Sequence, residues 1–339
     1  MTDSFPRRQA RTRRFTLGTP RGFTISPDGG RVLFLRSRGG TDPVTCLWTL
    51  DLATDDERLV ADPLALDTAG EDLPPEERAR RERSREQAGG IVGYATDRAV
   101  TAATFVLSGR LYVVDLLSGA APRPVGAPAG VIDPRLDPHG RHIAYVSGRA
   151  LHVHDLTTGT ARTLAAPEAP ERSYGLADFV AAEEMERMRG HWWSPAGDAL
   201  VVARVDDTPV QRWHIADPAH PDREPTVVRY PAAGTPNAQV STLDGARPPI
   251  RWSEEYLADV IWDDHGLFVV VQPRDQTALR TLRVDPATGA TAVDHERTDA
   301  VWVDIVPGVP AHTAAGALVT VADAVLRGEA LEQVGAVEG

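Results

Sequence analysis

Two adjacent glutamates, Glu183 and Glu184, lie in the segment Asp178-Phe179-Val180-Ala181-Ala182-Glu183-Glu184-Met185-Glu186-Arg187-Met188-Arg189-Gly190-His191-Trp192-Trp193-Ser194-Pro195. Two convergent carboxylates suit an ammonium cation. A free peptide α-amine has a pKa of about 8, so near neutral pH it is largely charged and can donate to both acids. Carboxylates held close together repel and raise one another's pKa, a cost that an incoming ammonium relieves. Neighbouring side chains on a regular strand or helix diverge, so a shared ligand requires irregular backbone, such as a short helical turn breaking out of a strand. Ala181 to Met188 is rich in helix formers, Gly190 can end such a turn, and Trp192-Trp193 resumes a strand-like run. The competing reading is a solvated charged turn, the usual state of exposed carboxylates.

The elements that must position this pair are repetitive. A turn of the form Pro/Asp-x-Gly appears at Ser26-Pro27-Asp28-Gly29, Asp137-Pro138-His139-Gly140 and Ser194-Pro195-Ala196-Gly197, and degenerately at Trp262-Asp263-Asp264-His265-Gly266. An apolar run follows each, as in Val32-Leu33-Phe34-Leu35 and Leu267-Phe268-Val269-Val270-Val271. A second strand then ends in a tight turn, Asp115-Leu116-Leu117-Ser118-Gly119 or Asp155-Leu156-Thr157-Thr158-Gly159. Units of about 40 to 60 residues built from short antiparallel strands are the signature of β-propeller blades. The sequence therefore predicts an all-β fold, an incomplete β-propeller with five to six blade equivalents over residues 18–326. A basic, flexible N-terminus (1–17) precedes it, and a tail or truncated blade (327–339) follows. Residues 73–88 break the pattern: Pro at the entry, Gly at the exit and pairs such as Glu77 with Arg81 predict a charged helical insertion, polar all round and projecting into solvent or against another domain.

Composition narrows the function classes. The net charge of −12 argues against a nucleic-acid partner, and the five arginines between Arg7 and Arg14 are too few and too local to reverse that. The single cysteine, Cys46, excludes an intrachain disulfide and predicts a cytoplasmic protein. Met1 to Leu17 lacks the apolar stretch of a signal peptide, and no run of about eighteen apolar residues predicts a membrane span.

Other catalytic constellations are weak. His152-x-His154 puts two imidazoles on one strand face without further ligands, so no metal and no cofactor are expected. Asp206-Asp207 and Asp263-Asp264 read as turn formers rather than acid/base pairs. No Gly-x-Ser-x-Gly elbow occurs, and Ser108, Ser118 and Ser147 lie in hairpin contexts.

The glutamate segment resembles the corresponding motif of the dipeptidyl peptidase IV family of serine peptidases, and most of all that of its cytosolic members. Further along, Arg229-Tyr230-Pro231-Ala232-Ala233-Gly234-Thr235-Pro236-Asn237 is similar to a second motif of that family, in the same order. The resemblance implies that Glu183 and Glu184 bind the free N-terminus of a substrate peptide. It also implies that Arg135, in Asp133-Pro134-Arg135-Leu136-Asp137-Pro138, matches an arginine touching the substrate backbone, although an exposed structural arginine explains that position equally from its residues alone. Related peptidases place a Ser-Asp-His triad in an α/β-hydrolase domain, whose signatures are absent here, so the expectation is a recognition region inactive alone and served by a hydrolase domain in cis or trans. The expected partners are peptides with a free N-terminus, that hydrolase domain and a second copy in a homodimer. The alternative, from a different class, is a stand-alone propeller acting as a protein-interaction scaffold.

Overall fold

The computed structural model describes residues 4–66, 77–78, 81–82, 89–243 and 246–321. The chain divides into two compact units, Met1–Pro167 and Glu168–Gly339.

The first unit opens with helix α1 (Phe5–Arg11), which carries a proline in its first turn, where a missing N–H is harmless. The segment expected as a flexible terminus thus holds regular structure. Three antiparallel sheets follow in up-and-down order. The first comprises β1 (Arg21–Ile25), β2 (Arg31–Ser37), β3 (Val44–Asp51) and β4 (Asp56–Ala61), with β5 (Gly89–Gly90) parallel to the start of β3. The second comprises β6 (Tyr94–Thr96), β7 (Ala102–Leu107), β8 (Arg110–Asp115) and β9 (Arg123–Pro124). The third comprises β10 (Ile132–Leu136), β11 (His142–Ser147), β12 (Ala150–Asp155) and β13 (Thr160–Ala165).

Turn chemistry sets these registers. Gly29 donates to the Ser26 carbonyl at 2.8 Å and Gly140 to the Asp137 carbonyl at 3.0 Å; both glycines have φ near +70°, where a side chain would be strained. At the far ends of the strands, Asp115 and Asp155 accept from the backbone N–H groups two and three residues on, at 2.7 to 3.0 Å. Strand β8 shows the resulting burial: Tyr112 and Val114 join a cluster with Leu33, Leu47 and Phe105, whereas Leu111 and Val113 pack with Leu136, Ile143 and Tyr145. Both faces of the strand are dry, as in a blade sandwiched between neighbours.

The second unit holds β14 (Arg172–Tyr174), helix α2 (Phe179–Glu184), β15 (His191–Trp193) and β16 (Leu200–Asp206), then the two-stranded ribbon β17 (Arg212–Ile215) and β18 (Thr226–Arg229). Strand β19 (Gln239–Thr242) returns to pair with β16. The last full sheet runs β20 (Tyr256–Asp263), β21 (Gly266–Gln272), β22 (Ala278–Val284) and β23 (Thr291–Thr298), and the hairpin β24 (Ala311–His312) with β25 (Leu318–Val319) follows. Trp192, Val201, Ala203, Leu257, Leu267 and Val269 form the core of this unit. Trp192 is buried and Trp193 only partly so, as strand alternation requires. Five sheets of four or more strands and two two-stranded sheets are thus described, in keeping with the expected blade-type repeats.

The charged insertion at 73–88 is described only at Glu77, Arg78, Arg81 and Glu82, all helical; its remaining residues, and the tail at 327–339, lie outside the described residues. The expected pair of Glu77 with Arg81 is present, on a face that is not solvated. Glu77 and Arg81 are buried and paired at 2.9 Å, because each neutralises the other's charge away from water. Among the described residues, no helix is long and apolar enough to cross a membrane.

Two outcomes test this packing. Tyr145 is fully buried, and its hydroxyl has no hydrogen-bond partner among the described residues. Tyr145→Phe is expected to leave stability unchanged or raise it by about 1 kcal/mol, whereas Tyr145→Ala costs about 3–5 kcal/mol, as read from denaturant midpoints. The second concerns acid. Glu168 is held at a pKa of about 2 by its own backbone amide, then by Arg204 and Tyr174; Asp206 is held at about 2 by the Thr208 hydroxyl and amide, then by Arg172. Both values lie below the unfolded carboxylate range, so their contribution is complete above about pH 5 and disappears as pH falls toward 2. Arg172 bonds both acids at 3.0 Å, so Arg172→Gln is expected to flatten the acid limb of a stability-versus-pH curve.

Candidate functional site

Strand β16 has one edge on which its partner is interrupted. Gly175 donates to the Ala203 carbonyl at 2.9 Å, and Ala203 donates to the Gly190 carbonyl at 2.7 Å, so one residue of β16 receives both the departing and the returning chain. Residues 176–189 form an excursion from an otherwise continuous edge. The neck is tight. A Cβ on Gly190 would lie 2.6 Å from the Gly175 carbonyl carbon and collide with the Leu176 backbone. The fully buried His191 sets its Nδ1 3.2 Å from the Gly175 carbonyl oxygen.

Within the excursion, the helix spans Phe179–Glu184 rather than the expected Ala181 to Met188. It begins early because Asp178 caps it, Oδ2 accepting from the Ala181 N–H at 3.1 Å, an interaction worth about 1 kcal/mol. It ends without a glycine: Met185 is the C-cap and Glu186 takes the left-handed conformation at φ +54°. Gly190, expected to end the turn, serves the neck instead. After Glu186 the chain doubles back, and Arg187 runs beneath the helix, donating to Asp178 Oδ1 at 2.7 Å, to the Leu257 carbonyl on β20 at 3.0 Å and to the Arg189 carbonyl at 2.8 Å. Burial pushes the Arg187 pKa down and Asp178 opposes it, so the guanidinium stays charged and fully engaged.

The exposures follow from this clamp. Ala181, Ala182 and Met185 are buried, and Met185 packs with Ala258, Val270, Leu279 and Val303. Glu183 and Glu184 are left exposed, side by side on the last turn. The C-terminal end of a helix carries partial negative charge, so two acids there deepen a site that favours a cation.

The expected site residues divide between the units. Glu183 and Glu184 are consecutive residues of the last helical turn in the second, where neighbouring side chains diverge. Arg135 lies in the first, on β10 after a bulge at which Asp133 adopts φ +46°. Its Nε and Nη2 lie 2.7 and 2.6 Å from Asp133 Oδ1, and it lines a cavity of about 90 Å³ with Glu77, Tyr94 and Val106. His152 uses both ring nitrogens, 3.3 Å from the Ser147 carbonyl oxygen and 3.1 Å from the Thr163 hydroxyl. Among the described residues, no three His, Cys, Asp or Glu side chains are grouped to hold a metal ion. Asp263 accepts from the His265 N–H at 2.8 Å, a turn role, and also meets His312 Nδ1 at 2.7 Å.

Sequence reasoning missed Asp178 and Arg187, although an Asp immediately before a helical run is a capping signal. It also left the Tyr230-Pro231 segment without a structural role. Arg229 is anchored to Glu171 at 3.0 Å and to the Asp207 carbonyl at 2.7 Å, and Asn237 donates to Glu255 at 2.6 Å and to Tyr256 at 3.0 Å, so the segment is tied at both ends.

Removing either member of the Asp178–Arg187 pair strands a buried charge. Asp178→Ala or Arg187→Ala alone is expected to cost about 3–5 kcal/mol, and the double variant less than the sum of the two, as a double-mutant cycle from chemical denaturation would read.

Residues 104–316 match the family described as the dipeptidyl peptidase IV (DPP IV) N-terminal region. The chain is 27% identical to dipeptidyl peptidase 8 of Mus musculus over 194 residues, covering 46% of this chain and 22% of that protein. It is 25% identical to dipeptidyl aminopeptidase B of Saccharomyces cerevisiae over 187 residues, covering 50% of this chain and 23% of that one. These matches span less than a quarter of the length of the curated relatives. The crystal structure of Porphyromonas gingivalis dipeptidyl peptidase 4 is similar with a TM-score of 0.63, over 88% of this chain and 43% of that one at 18% identity, a likeness of fold. The blade-type sheets, the glutamate excursion and the match over most of the chain agree: this protein has a β-propeller fold and belongs to the dipeptidyl peptidase IV N-terminal region family.

Proposed function

We propose that this region recognises peptides by their free N-terminus, with Glu183 and Glu184 holding the α-amine. The observation that carries the reading is the exposed pair at the C-terminal end of a helix whose position is locked by buried Arg187. A helix already anchored costs no backbone ordering on binding, so charge-assisted hydrogen bonds from its carboxylates go into affinity. In this reading the amine anchor acts as a ruler: the peptide is held so that two residues precede the bond to be cut, and a Ser-Asp-His hydrolase domain, in cis or in trans, releases the dipeptide. Anchoring would help to place the scissile carbonyl for attack. Arg135 is assigned the orientation of a substrate carbonyl on its motif alone. A cytoplasmic setting is supported by the lone, buried cysteine.

Calorimetric titration with a proline-containing peptide, with and without N-terminal acetylation, tests the reading. Acetylation, or Glu183→Gln combined with Glu184→Gln, is expected to weaken binding about 10- to 100-fold, the value of losing hydrogen bonds to a charged group. Equal affinity for the acetylated peptide, together with stable protein partners in pull-downs, would favour the interaction scaffold instead.

A further inference from the structure

We infer that the second unit holds another binding site, separate from the glutamate helix, which takes a free α-amino acid with a large apolar side chain. A cavity of about 390 Å³ opens between β16 and the β20–β21 hairpin, and no residue of the 176–189 excursion lines it. Its walls are mostly apolar: Leu200 and Val201 from β16, Ile250, and Trp262 and Leu267 on either side of the β20–β21 turn. Val201, Ile250 and Leu267 are also core residues, so the cavity reaches down to the hydrophobic interior. Its size and lining are those of a small-molecule site.

The open side of the cavity carries two charges of opposite sign. Arg247 and Asp198 both line it and both are exposed. The Ser194 hydroxyl, and after it Arg247, draws the Asp198 pKa down, so the two charges sense one another. They nevertheless form no ion pair, and Arg247 makes no hydrogen bond among the described residues. An α-amino acid carries ammonium and carboxylate on one carbon. Entering between the two residues, it sets its ammonium toward Asp198 and its carboxylate toward the guanidinium, while its side chain fills the apolar cavity. The frame is fixed in advance. The Leu243 N–H donates to the Val202 carbonyl at 2.8 Å, and the Arg251 N–H to the Gly289 carbonyl at 2.9 Å, pinning both ends of the loop that bears Arg247. The Ile250 N–H donates to the Thr242 hydroxyl at 2.7 Å, and a Cβ on Gly289 would lie 2.1 Å from the Pro249 carbonyl oxygen, so that loop is seated directly on the β22–β23 turn. Across the mouth, Asp198 accepts from the Ser194 hydroxyl at 2.7 Å. A preformed site loses little affinity to ordering.

The test is calorimetric titration of this chain with phenylalanine, glycine, N-acetylphenylalanine and phenylalaninamide. Phenylalanine is expected to bind about 10- to 100-fold more tightly than glycine, the value of burying its ring. Loss of either charge, in the acetyl or the amide derivative, is expected to weaken binding about tenfold. Arg247→Gln should make phenylalanine and its amide equal, and Asp198→Asn should make phenylalanine and its acetyl derivative equal. Both positions are exposed, so neither variant threatens the fold. Glu183→Gln combined with Glu184→Gln should leave phenylalanine binding unchanged, which separates this site from the proposed amine anchor. No binding of phenylalanine by the unaltered chain overturns the site, and so does binding that survives Arg247→Gln and Asp198→Asn at full strength. Binding lost in the double glutamate variant also overturns it, and assigns the ligand to the glutamate helix instead.

Discussion

Arg187 in contact with Asp178 is the constraint on which the glutamate-bearing excursion of the second unit depends. One carboxylate does two tasks, capping the helix through one oxygen and neutralising a buried guanidinium through the other. One guanidinium likewise links the helix entrance, the chain leaving the helix and a strand of the next sheet. A six-residue helix has little intrinsic stability in water. Here it persists because its start and its exit are fastened to the same buried charge.

That arrangement separates binding from folding. The residues that hold the helix in place, Asp178, Arg187 and Met185, are buried, while Glu183 and Glu184, the proposed amine ligands, are exposed. Two acids at the negative end of a helix oppose its formation. The buried pair offsets that cost.

Much of the fold was legible because its signals are local. The Pro/Asp-x-Gly turns and the Asp-Leu-x-x-Gly turns set strand ends by backbone sterics and by side-chain hydrogen bonds two or three residues away, and one or the other recurs in each of the five larger sheets. Glu183 and Glu184 were legible because their identity and adjacency are themselves the chemistry. What escaped depends on contacts between distant positions. The helix start was misplaced because Phe179 and Val180 have strand-like propensity, and the capping of Asp178 is reinforced by a residue nine positions on. Gly190 was read as a helix terminator, but it is required by a backbone approach to Gly175 and Leu176 across the neck, which no local pattern reveals. The ribbon β17–β18 left no trace because every residue of β17 is exposed and alternation of burial never arises.

The neck at Ala203 has a consequence for how such a protein changes over generations. Because departure and return bond to the same residue, the sheet contains no gap that depends on how many residues the excursion holds. Lengthening or replacing the inserted segment would cost mainly the slowly growing entropy of closing a longer loop. The blade can therefore act as a socket: a lineage can exchange the inserted helix as a cassette while the hydrogen-bond ladder that supports it is inherited intact.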